Sequence, residues 1–229
     1  MTGFGPGGAA PEGGPGHRDR ELLSVLGLVG LAIPVLVALG LISTAIGGAS
    51  VLVGMMAATL PVMLVVAVFL WVDRWEPEPS RLLVAAFLWG AGVSALGSAI
   101  VNDTATVVGD RVLGAVGGDL VGAVISAPTI EEACKGAFLI GLLWLRRREF
   151  DGVVDGVVYA GLVAAGFAFT ENILYFGRAF ALDGLAGDGG SVIIVFLLRG
   201  VLSPFAHPVF TAMTGIAVGV VVRRCHPVK

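Results

Sequence analysis

The chain alternates between long apolar runs and short polar segments, and this alternation predicts its fold. Each run holds the roughly 20 predominantly apolar residues that an α-helix needs to cross a bilayer. The runs cover residues 22–42, 51–72, 82–101, 120–145, 153–177 and 199–222. Several runs contain proline, which a packed membrane bundle tolerates as a kink. The pattern therefore predicts an all-α bundle of about six transmembrane helices joined by short loops.

Composition supports the same prediction. Of the 229 residues, 56% are hydrophobic and 14% are charged, whereas a soluble domain is about 45–50% apolar and about 25% charged. Part of this apolar surface must therefore face the lipid of a bilayer, because a single soluble core cannot bury all of it. The net charge of −3 argues against a nucleic-acid partner, which requires a basic surface. Because residues 1–16 are mostly Gly, Pro and Ala, we expect a disordered cytoplasmic tail over 1–20 and one transmembrane helical domain over 21–229.

Positive charges between the runs predict the orientation. They fall in alternate segments, which hold Arg18 and Arg20, Arg74 and Arg81, Arg146 to Arg148, and Arg223, Arg224 and Lys229. The positive-inside rule then places both termini in the cytoplasm and the loops 43–50, 102–119 and 178–190 outside. The last apolar stretch begins near residue 191 and is longer than one crossing needs, so we interpret 191–198 as an extension on the outer side.

Charged and polar side chains interrupt the last three runs, where each charge costs from about 3 to more than 10 kcal/mol. They are Glu131, Glu132 and Lys135 in the fourth run, Asp155, Glu171 and Asn172 in the fifth, and Arg199 and His207 in the last. At about 100° per residue, Lys135 projects between the two glutamates of its helix and can pair with one of them. Such adjacent carboxylates are typical of acid–base sites.

The helical rise gives the depth of these groups. From the predicted outer helix ends, Glu131 lies about 16 Å deep, His207 about 12 Å and Glu171 about 9 Å. All three then fall in the outer half of the membrane, where an isolated polar group is costly. We therefore expect the three helices to surround one polar cavity that opens to the outer side.

Structural interpretations of the same residues remain open. The Glu131, Glu132 and Lys135 group could be a buried ion-pair network, and Glu171 with Asn172 could join helices by hydrogen bonds. Arg199 could snorkel, and Asp155 could cap its helix or pair with the arginines at 146–148. Two other functional classes use such residues, namely a proton-coupled transporter and a non-catalytic membrane scaffold.

Three motifs on successive runs resemble the PrsW family of intramembrane proteases. They are Glu-Glu-x-x-Lys at 131–135, Phe-x-x-x-Glu-Asn at 167–172, and the late His207. The segments DRWEPEPSRLL at 73–83, DGVVYAG at 155–161 and AHPVFTAMTG at 206–215, together with Arg199, also resemble that family. The resemblance covers roughly residues 60–222, and the family is related to the CAAX prenyl endopeptidases.

The resemblance implies a protease of the bacterial plasma membrane that cuts a membrane-tethered, single-pass protein such as an anti-sigma factor near the outer face. It implies catalytic roles for Glu131, Glu132, Glu171 and His207, with supporting roles for Lys135, Asn172, Phe167, Arg199 and Asp155. Two mechanisms stay open. In one, a glutamate activates water while His207 and Asn172 hold the oxyanion. In the other, a divalent metal such as zinc, bound by Glu131, Glu171 and His207, activates the water.

Overall fold

The computed structural model confirms the all-α prediction, since the described residues form helices and no strand. Those residues are 17–120, 126–146, 150, 152–183 and 190–225. The helices are α1 His17–Ile46, α2 Gly48–Asp73, α3 Ser80–Leu88, α4 Ala95–Leu113, α5 Ala115–Leu120, α6 Ala127–Leu145, α7 Val153–Asp183, α8 Gly190–Val195 and α9 Ala206–Cys225. A π-helical turn, Trp89–Ser94, joins α3 to α4, and a second one, Phe196–Leu202, continues α8.

Several helices are long and apolar enough to cross a bilayer, so the chain is an integral membrane protein. The candidate spans among the described residues are Glu21–Ile46, Gly48–Asp73, Ser80–Leu113, Val153–Asp183 and Gly190–Arg224. These five match five of the six predicted runs. Helix α6 has 19 residues, which gives a length of about 28 Å, but its three charged residues make it less apolar. A sixth crossing through α6 stays a prediction.

Several predicted boundaries differ from the structure. Helices α1 and α7 run past the predicted ends at 42 and 177, to Ile46 and Asp183, and α2 begins at Gly48 rather than at 51. The predicted outer loop 102–119 is largely helical, because α4 continues to Leu113 and α5 follows. Gly114 separates these helices with a φ of 77°, a left-handed conformation that favours glycine and ends a helix. Apolar length alone places a helix end too early, because backbone hydrogen bonds can extend a helix through residues that are not apolar. Residues 1–16 of the predicted tail lie outside the described residues, and α1 begins at His17.

Helix α7 lies at the centre of the bundle. The most apolar 18-residue window of α7 is 78% buried, whereas that of α1 is 6% buried. Small residues allow neighbouring backbones to approach it, as they do in lipid. A Cβ atom on Gly90 would overlap the backbone at Val163, and one on Gly156 would overlap Gly215. Helices α2 and α9 and the first π turn therefore pack directly on α7.

The last apolar run, predicted as an outer extension over 191–198 and a helix over 199–222, is instead divided by a break after residue 202. Helical structure covers Gly190–Leu202 through the second π turn, stops at 203–205, and resumes at Ala206. Pro204 lies in the break, and Pro208 lies in the first turn of α9, where a missing N–H costs no helical hydrogen bond. The break thus places His207 at the start of a helix rather than in its middle.

The orientation of the bundle stays a prediction, and labelling can check it. In a Cys134→Ala, Cys225→Ala background, a cysteine at Ala49 should react with a membrane-impermeant maleimide in intact cells. A cysteine at Arg146 should react only after permeabilisation, because the Arg-rich loops lie inside. Both positions are exposed on the protein. The reverse labelling pattern would invert the predicted topology.

Candidate active site

Three helices and the second π turn bring the polar residues of the last runs together. Glu131 lies about 21 Å from the end of α6, while Glu171 lies about 27 Å from the start of α7. Side chains lean toward the N-terminus of their helix. Helices α7 and α9 are antiparallel, since Gly156 meets Gly215 while Gly152 meets Gly219. Glu171 and His207 therefore lean toward each other along the bundle axis.

Lys135 is the centre of this cluster. Its side chain is 0% exposed, and its Nζ atom donates to Glu132 Oε1 at 2.8 Å. The same Nζ lies 3.6 Å from Glu131 Oε2 and 3.1 Å from His207 Nδ1. It also lies 4.0 Å from the centroid of the Phe167 ring. A fully buried ammonium thus contacts two carboxylates, an imidazole and an aromatic face, which together replace its hydration.

The partners of His207 assign its tautomer. An ammonium has only donors, so the Nδ1 atom of His207 must accept from Lys135. The Nε2 atom lies 2.9 Å from Glu171 Oε2, which is an acceptor, so Nε2 carries the proton. The imidazole is neutral in this arrangement, and both of its nitrogens are engaged. Its ring also lies 5.2 Å from that of Phe167, which holds its plane.

Arg199 binds the same carboxylate oxygen of Glu171 as His207 does. Its Nη2 atom donates to Glu171 Oε2 at 2.6 Å, and its Nε atom donates to Asn172 Oδ1 at 2.8 Å. Its guanidinium carbon lies 4.0 Å from the centroid of the Tyr175 ring. Glu171 Oε2 therefore accepts from both Arg199 and His207. The second π turn, which carries Arg199, is thereby tied to α7.

Two contacts of the cluster had only a weak sequence signal. Thr211 Oγ1 lies 3.3 Å from Glu132 Oε1 and 3.0 Å from the carbonyl oxygen of His207. Trp89 Nε1 donates to the carbonyl oxygen of Cys134 at 3.0 Å and so ties the first π turn to α6. The spacing of Thr211 from His207, four residues on one helix, is the sequence feature that points to it.

Two cavities reach the cluster. A cavity of about 480 Å³ is lined by Glu131, Phe167 and Glu171, together with residues of α1 and α4. A smaller one of about 80 Å³ is lined by Asn172, Arg199 and His207. Two of the glutamates therefore face a space large enough for part of a polypeptide, and the histidine faces a space of a few water molecules.

The structure does not bring Asp155 to this cluster. Asp155 lies at the far end of α7, where its Oδ2 atom accepts from the backbone N–H of Gly152 at 2.9 Å. It also forms a hydrogen bond with Glu78, which accepts from the Tyr159 hydroxyl at 2.7 Å. Burial, helped by Asp155 and opposed by the Tyr159 hydrogen bond, raises the pKa of Glu78 to about 8. This second group joins the loop after α2 to α7.

The fold and the cluster define a class: a polytopic membrane protein with a buried carboxylate–histidine site. The chain belongs to the PrsW family, since residues 78–229 match the family described as PrsW family intramembrane metalloprotease. Protease PrsW of Geobacillus kaustophilus (strain HTA426) is 28% identical to it over 163 residues. That alignment covers 71% of this chain and 64% of the relative, so the chain spans just under two-thirds of that protein's length. No solved structure matches the chain.

The donor atoms of the cluster do not fit a metal ion in this arrangement. Among the described residues, no group of three or more His, Cys, Asp or Glu side chains is placed to hold one. Glu171 lies at the Nε2 edge of His207, whereas Glu131 Oε2 lies 3.9 Å from Nδ1. Because the two ring nitrogens point in different directions, one ion cannot bind His207 together with both glutamates. Lys135 and Arg199 also occupy the positions that a cation would take.

The assigned tautomer of His207 can be measured. In a His17→Gln, His226→Gln background, ¹⁵N NMR of labelled histidine should show a neutral imidazole that is protonated at Nε2. Lys135→Met should introduce a population protonated at Nδ1, since the donor to that nitrogen is removed. A wild-type spectrum dominated by the Nδ1-protonated form would contradict the assignment.

Glu78 should make the stability of the protein depend on pH. Its folded pKa, about 8, exceeds the ordinary value of 4.5, so the folded state holds a proton that the unfolded state releases. This contribution is complete below about pH 4.5 and is lost as the pH rises through about 8. Between these values the thermal midpoint of the wild type should fall relative to that of Glu78→Gln. The matched variant Glu21→Gln, at an exposed pair with Arg81, should keep the wild-type slope. Parallel curves for wild type and Glu78→Gln would contradict the prediction.

Proposed function

We propose that the protein is an intramembrane protease that cleaves a single-pass, membrane-tethered protein near the outer face of the bacterial plasma membrane. The observation that carries the proposal is the placement of Glu131 and Glu171 on the wall of the 480 Å³ cavity, beside the buried ammonium of Lys135. Membership of the family and the name of the 28% identical relative also support it. By the same resemblance, an anti-sigma factor is the class of substrate we propose.

Glu131 is the proposed general base. Glu132 is bound to Lys135 at 2.8 Å, and Glu171 accepts from Arg199 and His207. Glu131 is held less tightly, since its closest cation lies 3.6 Å away, and it faces the cavity. Three carboxylates also stand against two cations, so one carboxylate has no full countercharge. That carboxylate can accept a proton from water without breaking a short ion pair.

The proposed reaction is hydrolysis of a peptide bond by an activated water. Glu131 takes a proton from water while the oxygen bonds to the carbonyl carbon, and the positive charge of Lys135, 3.6 Å from Glu131 Oε2, stabilises the resulting oxyanion. His207 positions that charge, because its Nδ1 atom accepts from Lys135 and its Nε2 proton is donated to Glu171. The carbon–nitrogen bond then breaks, and Glu131 returns the proton to the leaving nitrogen. Asn172 gains less support for an oxyanion role, because its Oδ1 atom accepts from Arg199 and it lines the smaller cavity. Arg199 and Glu171 are positioning residues that orient His207.

A non-catalytic scaffold is the second candidate, and specific contacts favour it. Lys135, His207, Glu171 and Arg199 satisfy one another pairwise, which is all that a scaffold requires. The cavity at Glu131 favours the enzyme instead, because a purely structural ion pair needs no adjacent space. Activity measurements on glutamate variants separate the two.

In proteoliposomes with a single-pass reporter, Glu131→Gln should lower kcat/KM by at least about 100-fold, the contribution of a positioned acid–base group. Glu132→Gln should also lower it, because Lys135 would lose its closest carboxylate. Glu21→Gln, a matched change at an exposed pair, should keep full activity. Thermal midpoints near the wild-type value would show that the variants are folded. Chelation should leave the wild-type rate unchanged, since the donors do not fit a metal.

The outcomes separate the candidates. Full activity in Glu131→Gln would remove the proposed base. A rate abolished by chelator and restored by zinc would assign the water to a metal. No cleavage by the wild type, with reporter still retained on the protein, would favour the scaffold.

A further inference from the structure

Part of the wall of the 480 Å³ cavity is formed by residues outside the catalytic cluster. Besides Glu131 and Glu171, the cavity is lined by α1 residues from Ala38 to Ala45 and by α4 residues from Ala95 to Asp103. These walls are mostly alanine, leucine and isoleucine. The charged residues outside the cluster are Asp103 and Arg178, both exposed.

We infer that this cavity is the groove for the substrate backbone: it binds an extended, uncharged segment of about four to five residues, and the α4 alanines limit the size of its side chains. The inference rests on the proposed protease function, because it places the scissile bond beside Glu131. It adds the chemical class of the segment that is recognised.

The length of the groove sets the length of the segment. Along α7, one face of the cavity runs from Phe167 through Glu171 to Arg178, a rise of about 16 Å. Along α4, it runs from Ala95 to Asp103, about 12 Å. At about 3.3 Å per residue, these lengths hold about four to five residues of extended chain. The segment must be extended, because helical carbonyls are already hydrogen-bonded.

Polar groups along the groove suit a peptide backbone rather than a lipid tail. Ser98 and Asn102 of α4 and Thr170 of α7 line the cavity. The hydroxyls of Ser98 and Thr170 donate to backbone carbonyl oxygens and keep lone pairs that can accept from a peptide N–H. Asn102 Oδ1 accepts from Ser126, and the side-chain amide of Asn102 also carries N–H donors for a peptide C=O. A peptide N–H or C=O that leaves water needs such partners, since each unpaired group costs several kcal/mol. An acyl chain would gain nothing from them. The apolar residues between them can accept uncharged side chains.

A reporter library and matched variants test the groove. A single-pass reporter would carry a randomised five-residue segment next to its membrane anchor, and sequencing of the cleaved molecules would give the preferred residues. Ala99→Leu, which narrows the groove, should reduce cleavage of segments with Phe or Leu at least tenfold relative to segments of Ala or Gly. Ala67→Leu, an exposed position outside the cavity, should leave the preference unchanged. An identical preference in Ala99→Leu and wild type would overturn the inference.

A second measurement reads binding without cleavage. In Glu131→Gln, a photoreactive benzoylphenylalanine at Ile100, which lines the cavity, should cross-link the reporter library. The same group at Val101, the next residue and outside the lining, should not. Cross-linking at Ile100 with no cleavage by the wild type would keep the groove and reject the protease. Cleavage with equal cross-linking at both positions, or no cross-linking at either, would overturn the groove.

Discussion

The structure of the site depends on one buried ammonium. Lys135 is fully enclosed, and a lone charge in a low-dielectric interior is too costly to persist without close partners. That requirement draws Glu132 and Glu131 from its own helix and His207 from α9, and it places the ring of Phe167 against the charge. Helices α6, α7 and α9 therefore have one relative arrangement at this depth. The tautomer of His207 follows from the same contact.

The backbone makes this arrangement possible through small residues and a break. Glycines such as Gly156 and Gly215 let α7 and α9 meet backbone to backbone, which leaves no room for slippage between them. The break at 203–205 then frees the start of α9 and puts His207 beside Glu171. Arg199, on the π turn before the break, pairs with the same oxygen of that glutamate and neutralises it. A continuous helix would carry Arg199 and His207, eight residues apart, about 12 Å from each other along its axis.

The three glutamates of the cluster differ in the length of their ion pairs and in whether they face the larger cavity. The short ion pairs involve Glu132 and Glu171, while Glu131 has the longer contact with Lys135 and faces the larger cavity. The proposed general base, Glu131, is thus the glutamate with the longest ion pair. The α7 end that carries Asp155 has its own network through Tyr159 and Glu78, which anchors the helix far from the reaction.

The sequence by itself determined the helical class, most of the membrane runs and the residues of the cluster. Hydrophobic length and the rarity of charges in lipid are local properties, and they single out Glu131, Lys135, Glu171 and His207 from the amino-acid sequence alone. Only the tertiary structure decided which partner each of them takes, where the last helix breaks, and that Asp155 stands apart. It alone showed the walls that α1 and α4 contribute to the cavity. Those walls are apolar and match any lipid-facing helix in composition, so their role depends on contacts between segments distant in the chain.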